Sequence, residues 1–444
     1  MHRGDVFMQF RDLPGLIRKS ETISRIGKIE NVEGMLLEAS GGRTSIGEIY
    51  MIYMIYDERQ NRHIPAEVIG FKQNKIQMMS YEDTNGISSG SIVRSTKKRL
   101  KIPVGAFLKG RVIDAMGRPI FGERFSDSQF CYVENTYTNP LKRPPITERL
   151  DFGVKAIDGL LTIGKGQRIG IFAGSGVGKS TLLGMIAKNS TADINVIALV
   201  GERGREVREF IERDLGEEGR QRSVVVVATS DESSMMRMKC PLVATTIAEY
   251  FRNQGKDVLL MMDSLTRFAM AKREIGLSLG EPPVARGYTP SIYTEFPKLL
   301  ERSGRFKEGS ITGVYTVLVE GDDTNEPIAD TVRGILDGHI VLTRKLANEN
   351  HFPAIDINAS ISRLMSSVAS ERQKELASGI RDILSTYSKN EDLISIGAYK
   401  MGTSQKVDQA ISRIDRVNAF LMQGVNESFT HDEVVSEMEK ILSD

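Results

Sequence analysis

The sequence predicts an α/β protein of three parts, in which a small β-barrel precedes a mostly parallel sheet covered by helices and a helical C-terminal region. Three observations lead to this fold class. Short runs of strand character with frequent turns fill residues 21–93. Continuous apolar runs then alternate with amphipathic helical segments over residues 94–368, which is typical of a parallel sheet buried on both faces. Residues 369–444 keep mainly the helical period.

Composition places few limits on the function. The 444 residues carry a formal net charge of +1, so overall charge favours neither nucleic acid nor any other class of partner. Cys131 and Cys240 lack metal-ligand spacing and are expected to be reduced thiols, and the histidines form no metal pair. No apolar run approaches the ~18 residues that span a bilayer, and Met1–Gln9 has no signal-peptide core. We therefore expect a cytoplasmic protein that associates with a membrane only peripherally.

Residues 1–20 are expected to act apart from the folded domains. Apolar side chains alternate there with basic ones, and Pro14-Gly15 interrupts their partly helical spacing. A segment this short cannot form its own core. It is either a frayed terminus or a docking peptide, and the pattern alone favours neither.

The barrel is predicted from three short strands and the turns between them. Strand character appears at Ile23–Ile29, Ser45–Tyr50 and His63–Gly70, separated by glycine-rich or charged turns. A basic cluster follows at Lys97–Lys101. Because no aromatic residues interleave with it, we interpret it as a solvated connector rather than a nucleic-acid site.

The central sheet is predicted from apolar runs at residues 194–200, 223–228, 258–262, 312–319 and 340–342. Helical periodicity between them indicates helices at Glu206–Glu217 and Pro241–Gln254. In the last region the same period predicts helices at Arg372–Tyr387 and Gln405–Met422.

A glycine-rich loop follows the apolar run Arg168–Phe172 and precedes a segment with helical spacing. Strand, glycine loop and helix are the context that makes a phosphate-binding loop credible. Glycines let successive backbone N–H groups converge on an anion, and the helix N-terminus adds partial positive charge. Lys179 is expected to reach the terminal phosphates of a nucleotide and the Ser180 hydroxyl to hold Mg²⁺. The loop residues expected to bind the nucleotide are Gly174, Ser175, Gly176, Val177, Gly178, Lys179, Ser180 and Thr181.

Two acidic residues extend this interpretation from nucleotide binding to hydrolysis. Glu202 follows the strand that ends at Val200, where a carboxylate can orient the attacking water, although an acid at a helix start has the same appearance. Asp263 ends the apolar run at 258–262, as expected of a Walker B aspartate that binds Mg²⁺ directly or through water. Phosphoryl transfer also needs positive charge, for which Arg203, Arg267 and Arg363 are candidates.

Several segments resemble the rotary ATP synthase α and β subunits. Pro353–Asp356 with Ser360 and Ser362 is similar to the signature of that superfamily, and Gly201–Glu206 resembles the motif of its catalytic subunit. Within the superfamily the chain resembles the flagellar and type III secretion ATPases. Ala173 stands where the usual phosphate-loop pattern has its first glycine, and an alanine there is also typical of these ATPases. The segments that carry this second resemblance are 273–283, 287–291, 297–304 and 322–330, the last of which resembles the flagellar branch more than the virulence branch.

The resemblance implies a RecA-like ATPase domain and a role for each matching residue. Glu202 matches the catalytic glutamate, Arg203 the arginine beside the γ-phosphate, and Asp263 the acid linked to Mg²⁺. Phe352 matches the aromatic residue that stacks on adenine, and Arg363 the arginine finger inserted into the neighbouring subunit's site. The second aromatic residue of the adenine pocket has no counterpart, since residues 423–426 offer only Val425.

The family resemblance also implies partners. It predicts a homohexameric ring of this chain, because one chain carries both Glu202 and Arg363 and can complete its own sites in a ring. It further predicts a stator-like regulatory protein bound by residues 1–20, a stalk-like protein in the centre, an export gate at the membrane, and complexes of export substrates with chaperones. The alternatives to a flagellar export ATPase are a catalytic subunit of an ion-translocating ATPase, an injectisome ATPase, an RNA-tracking helicase and a non-hydrolysing structural protein.

Overall fold

The first structural unit is a closed six-stranded barrel. All neighbouring strands are antiparallel, in the order β1-β2-β5-β4-β3-β6, and β6 closes on β1. Alternate residues of β3 point inward, so that Tyr50 and Ile52 join a buried apolar cluster. The strands are β1 (Ile26–Glu33), β2 (Leu36–Ala39), β3 (Glu48–Tyr53), β4 (His63–Lys72), β5 (Lys75–Ser80) and β6 (Ile92–Arg99).

The computed structural model describes residues 25–54, 63–123, 125, 129–134, 139–319 and 326–443. It divides the chain into two units after Leu100. The predicted barrel boundary at residue 93 falls inside β6, because the basic residues that we interpreted as a connector continue the strand with exposed side chains. The predicted docking segment, residues 1–20, lies outside the described residues.

The second unit is built around one large sheet. Its strand order is β19-β18-β12-β17-β15-β13-β14-β8, and the short β16 pairs with β17. Neighbouring strands from β18 to β8 are parallel, whereas β19 is antiparallel to β18. The strands are β7 (Lys101–Val104), β8 (Val112–Asp114), β9 (Gln129–Tyr132), β10 (Arg149–Leu150), β11 (Ile163–Gly164), β12 (Arg168–Ala173), β13 (Ile194–Val200), β14 (Ser223–Ala228), β15 (Asp257–Asp263), β16 (Gly304–Arg305), β17 (Ser310–Leu318), β18 (Gly338–Leu342) and β19 (Ile355–Ser362).

Helices cover this sheet and form the C-terminal region. The helix at Gly204–Glu209 is continued by a π-helical segment at Phe210–Leu215. The α-helices are α1 (Lys155–Leu160), α2 (Lys179–Asn189), α3 (Gly204–Glu209), α4 (Gly216–Gln221), α5 (Ser234–Arg252), α6 (Leu265–Ser278), α7 (Pro290–Leu300), α8 (Pro327–Ile335), α9 (Arg344–Asn348), α10 (Met365–Val368), α11 (Glu371–Ser395), α12 (Gln405–Leu421) and α13 (His431–Ser443). In the part of the chain that the structure describes, no helix has the length and apolar character of a membrane span.

The predicted fold class is confirmed, and the predicted apolar runs are strands of the central sheet. β13 and β14 have the predicted bounds, and the other runs lie within or beside β15, β17 and β18. The predicted helix at Glu206–Glu217 is instead α3, the π-helical segment and the start of α4. Helix α5 begins at Ser234, well before its predicted start at Pro241, because the Ser233 hydroxyl caps its N-terminus by accepting a hydrogen bond from the Met236 amide.

The C-terminal helices share a core with the sheet rather than standing apart from it. Ile380, Val417 and Met438 from α11, α12 and α13 belong to the same buried cluster as the strands around the phosphate loop. Arg381 on α11 adds a polar tie, since its guanidinium donates to the carbonyl of Ile357 on β19 at 2.7 Å and of Leu160 at 2.9 Å. The helical region is therefore fastened directly to β19.

Candidate active site

The main candidate site is a cleft of about 620 Å³ at the edge of the sheet where the parallel strands end. Ligands in open α/β sheets bind at this edge, because loops and helix N-termini converge there. The lining residues are Gly174, Ser175, Gly176, Gly178, Lys179, Ser180, Thr181, Glu202, Arg203, Glu206, Thr266, Arg267, Met270, Leu318, Val319, Glu326 and Arg344.

The glycine-rich loop has the strand and helix flanks predicted for it. Strand β12 ends at Ala173 and α2 begins at Lys179. Gly176 and Gly178 have φ angles of 79° and 88°, a left-handed conformation that other residues rarely adopt. The loop consequently turns its backbone around the N-terminus of α2, where unpaired N–H groups and the helix dipole favour an anion.

Lys179 lies between two acidic side chains. Its Nζ forms an ion pair with the Asp263 carboxylate and lies 3.9 Å from Glu202 Oε1. Asp263 is 4% exposed and also accepts a hydrogen bond of 2.7 Å from Thr316 Oγ1 on β17. The chain thus brings Lys179, Glu202 and Asp263 together from three separate segments. Thr316 was missed by the sequence analysis, because β17 contains several hydroxyl residues and nothing local distinguishes this one.

The residues present fit a magnesium ion. Ser180, Glu202 and Asp263 line a small recess of about 60 Å³ beside the main cleft. Hydroxyl and carboxylate oxygens are the ligands that Mg²⁺ prefers, and it commonly uses one or two carboxylates together with substrate phosphates. Among the described residues no group of three or more His, Cys, Asp or Glu side chains could hold a metal by itself. This donor set suits a metal that arrives with a nucleotide.

Glu202 occupies an unusual electrostatic environment. It follows β13, and its carbonyl accepts a hydrogen bond from the Ser230 amide at 3.0 Å, which fixes the turn. Burial and, next, the negative charge of Asp263 raise the pKa of Glu202 to about 7, and the charge of Lys179 opposes this shift. A carboxyl group whose pKa is raised this far by burial and a neighbouring charge is characteristic of functional sites.

Two of the three candidate arginines lie at the cleft. Arg203 is exposed, with its Nη1 3.7 Å from Glu206 Oε1. Arg267 extends from α6, and its Nε is buried without a hydrogen-bond partner among the described residues. Both arginines line the cleft, where guanidinium charge favours an anionic ligand.

Phe352 lies beside the phosphate loop. A side chain at Gly178 would come within 3.5 Å of the Phe352 ring, so the ring borders the loop. Its carbonyl accepts a hydrogen bond of 2.9 Å from the amide of Gln423, which places residues 423–425 beside it. The Gln423 side chain in turn donates to Gly153 O at 2.8 Å and accepts from Lys155 N at 2.9 Å. Gln423 was also missed, because nothing local in the sequence marks a buried amide as a positioning group.

Arg363 lies away from the other candidates. Phe352 precedes β19 and Arg363 follows it, and β19 runs antiparallel to β18. Leu342 of β18 is paired with Ala173 at the start of the phosphate loop, so the beginning of β19 is near that loop and its end is at the opposite edge of the sheet. Ile355 pairs with Leu342 and Ser362 with Gly338, four residues apart on β18, because a bulge takes up three residues of β19. At about 3.3 Å per residue of β18 the two ends of β19 are roughly 13 Å apart. Arg363 therefore does not reach the phosphate loop of its own chain.

Comparisons with known proteins agree with this fold and site. The ATP synthase alpha/beta family model for the nucleotide-binding domain matches residues 153–362, and the model for its beta-barrel domain matches residues 29–97. The T3SS EscN ATPase C-terminal domain matches residues 369–440. The "Flagellum-specific ATP synthase" of Bacillus subtilis is 53% identical over 430 residues, which cover 97% of this chain and 98% of that protein. The "Type 3 secretion system ATPase" of Xanthomonas euvesicatoria is 44% identical, with 95% of each chain covered.

Solved structures give the same result. The assembled ATPase EscN from the type III secretion system of enteropathogenic E. coli is 45% identical, with a TM-score of 0.88 over 94% of this chain and 99% of that one. The structure of EscN in complex with its central stalk EscO has a TM-score of 0.86. Fold and site together define a nucleotide-binding ATPase of the ATP synthase alpha/beta family. Within it, the chain belongs to the flagellum-specific and type III secretion ATPases and is an ATP hydrolase.

Proposed function

We propose that this chain is the ATPase of a flagellar protein export apparatus. It uses hydrolysis of Mg-ATP to release export substrates from their chaperones, to unfold them and to deliver them for export. The convergence of Lys179, Glu202 and Asp263 beside the phosphate loop is the observation that carries the hydrolytic part. The high identity and nearly complete coverage of flagellum-specific relatives support the flagellar part.

The site residues divide the work of hydrolysis as follows. Backbone N–H groups of residues 174–181 bind the phosphates, and Lys179 leaves Asp263 to contact the terminal phosphates. Ser180 and Asp263 would hold Mg²⁺, and the bound ion would supply positive charge to the phosphate oxygens. Glu202 accepts a hydrogen bond from the attacking water and so aims it at the γ-phosphorus. Arg203 and Arg267 supply positive charge on the same side.

The adenine base is proposed to stack on Phe352. The ring is 40% exposed and borders the phosphate loop, so it offers a free face to a base. Val425 is 44% exposed on the segment that Gln423 ties to Phe352, and it provides the opposite apolar contact.

Arg363 is proposed to complete the site of a neighbouring copy in a homohexameric ring. Its position at the opposite edge of the sheet from its own phosphate loop supports action in trans. Each chain carries both halves of a site, the phosphate loop and Arg363. The Arg363 side of one copy can therefore face the phosphate-loop side of the next copy around a closed ring.

The purified chain tests this assignment. We expect it to hydrolyse ATP without any second type of subunit, and its turnover per chain should rise steeply with protein concentration as rings form. Light scattering in the same samples would measure assembly. Turnover that is independent of concentration in a monomeric sample would contradict the ring, and activity that requires a different subunit would contradict the assignment as a self-sufficient ATPase.

Further partners follow from the tip of the helical region and from the family. Leu393 in the last turn of α11 is exposed, as are Ile396 and Met401 in the loop that follows, and we propose that this apolar tip contacts a stalk-like protein in the centre of the ring. EscN, a relative, was solved in complex with its central stalk. We place the ring in the cytoplasm, on the inner face of the membrane at an export gate, where it meets complexes of substrates with chaperones.

Residues 1–20 are proposed to dock a stator-like regulatory protein. Removal of these residues should leave ATP turnover within about twofold, because the barrel and the site lie elsewhere in the chain, while binding of the regulatory partner is lost. A pull-down with that partner, alongside an ATPase assay of the same truncated protein, would measure both effects. Unchanged partner binding would refute the docking role.

A further inference from the structure

The backbone of Arg363 is held by a residue that has no contact with the nucleotide cleft. The Arg363 amide donates a hydrogen bond of 3.0 Å to the carbonyl of Asp337, in the turn before β18. Among the described residues, the Arg363 side chain is exposed and has no hydrogen-bond or ion-pair partner. Contacts within its own chain therefore fix the backbone position of Arg363, but not the direction of its guanidinium group.

Asp337 is itself clamped by Arg168, the first residue of β12. Its carboxylate accepts from the Arg168 backbone amide at 3.0 Å, from Nε at 3.1 Å and from Nη2 at 3.1 Å, while the Asp337 amide donates to the Arg168 carbonyl at 2.8 Å. The Arg168 side chain is only 16% exposed and also pairs with Glu301. Charge-assisted bidentate bonds of this kind are strong and directional. They hold the turn in one position.

A second contact fixes the residue just before Arg363. Gln167 donates from one side-chain nitrogen to the Asp337 carbonyl at 3.2 Å and to Ser362 Oγ at 3.0 Å. Ser362 then donates to the carbonyl of Thr162 at 2.8 Å. The start of β12, the turn at Asp337 and the end of β19 consequently form one hydrogen-bonded junction.

We propose that Asp337, clamped by Arg168, is a positioning residue for Arg363 and thereby controls hydrolysis in the neighbouring copy rather than in its own. This rests on the proposed role of Arg363 in trans. An arginine that enters a foreign site must arrive pre-positioned, and a displacement of about 1 Å can cost on the order of a hundredfold in rate. Since β12 separates Asp337 from its own phosphate loop, a local disturbance at Asp337 acts on Arg363 first.

The Asp337→Asn variant of the full-length chain tests the proposal. Asparagine keeps one acceptor oxygen but loses the charge-assisted fork, so we expect kcat to fall roughly tenfold to a hundredfold with little change in the affinity for a fluorescent ATP analogue. Arg168→Lys removes the fork from the other side and should give the same result. Glu439→Gln, which removes an exposed ion pair with Arg372, is the matched control and should behave as wild type. Ring assembly is measured for every variant.

Mixed rings show in which copy Asp337 acts. Asp337→Asn is mixed with Glu202→Gln, and hydrolysis of a single bound ATP per ring is measured so that each site counts once. In a random equal mixture about a quarter of the sites combine an intact Glu202 with an intact Asp337 from the next copy. Action in trans therefore predicts a fast phase with roughly that amplitude, which neither parent protein has.

Two outcomes separate this inference from the proposed function beneath it. Arg363→Ala mixed with Glu202→Gln must give the same fast phase if Arg363 acts in trans, and its absence refutes the arginine finger itself. The mixture of Arg363→Ala with Glu202→Gln could give the fast phase while the mixtures of Asp337→Asn and of Arg168→Lys with Glu202→Gln do not. In that case Asp337 acts within its own copy and the positioning proposal is wrong. Wild-type kcat in both clamp variants would overturn it equally.

Discussion

Replacement of Glu202 with Gln is expected to lower ATP turnover by a factor on the order of 10² to 10⁴ while nucleotide binding is retained. Glutamine matches glutamate in size, so the cleft keeps its shape, and Lys179 keeps its partner Asp263. What is lost is the carboxylate that we propose accepts a hydrogen bond from the attacking water. Steady-state turnover and the affinity for a fluorescent ATP analogue measure the two effects separately.

A matched control for this change lies in the π-helical segment that continues α3. Glu212 is exposed, pairs with Arg208 at 2.9 Å and does not line the cleft, so Glu212→Gln should have wild-type turnover. Full turnover in Glu202→Gln would remove the glutamate from the mechanism. A parallel loss of nucleotide affinity would instead identify Glu202 as a binding residue.

The same substitution should stabilise the protein in the absence of nucleotide. Burial and the charge of Asp263 raise the folded-state pKa of Glu202 from 4.5 to about 7, so ionisation costs folding free energy once the pH exceeds the unfolded-state pKa, and the full cost is reached above the folded-state pKa. Glutamine removes this cost. The melting temperature of Glu202→Gln should therefore exceed that of wild type at pH 8, and the difference should disappear as the pH falls to about 4.5. An equal difference at both pH values would contradict the assigned pKa.

Replacement of Arg363 with Ala should lower turnover by a factor on the order of 10³ or more, the usual contribution of an arginine finger. The affinity of the monomer for ATP should not change, because β19 separates this residue from its own phosphate loop. Dilution distinguishes the two effects: at low concentration, where rings dissociate, wild type and variant should converge in both affinity and residual turnover.

Arg363→Lys refines this prediction. Lysine keeps the positive charge but lacks the planar fork that engages two phosphate oxygens, so it should restore only a small part of the lost turnover. Full activity of the lysine variant would mean that charge alone is needed. Reduced ATP affinity of the Arg363→Ala monomer would contradict action in trans.

Sequence patterns predicted the elements that are buried on both faces and the residues that lie at strand ends. β13 and β14 have the predicted bounds, because runs such as the valines of β14 have few other structures available. Glu202 and Asp263 were identified for a related reason. A polar residue directly after such a run lies at the edge of the sheet, and parallel strands bring these edges together.

Features that depend on contacts between distant segments were not predicted. The edge strands β8 and β19 are short or polar, and they exist because a neighbouring strand supplies their hydrogen bonds. Thr316 and Gln423 act through partners more than 50 residues away, at Asp263 and Gly153 respectively, so no local pattern marks them. The resemblance identified Arg363 as a finger, but only the antiparallel direction of β19 shows how far it lies from its own phosphate loop.

Strand β19 has Phe352, the proposed base-stacking residue, before one end and Arg363, the proposed arginine finger, after the other, and Arg381 binds the carbonyl of Ile357 within it. Its ends are held by pairing with β18, although a bulge interrupts the strand between them. With the proposed roles, a movement of the helical region that tilts β19 would shift Phe352 against the base of its own copy and Arg363 against the site of the next copy together.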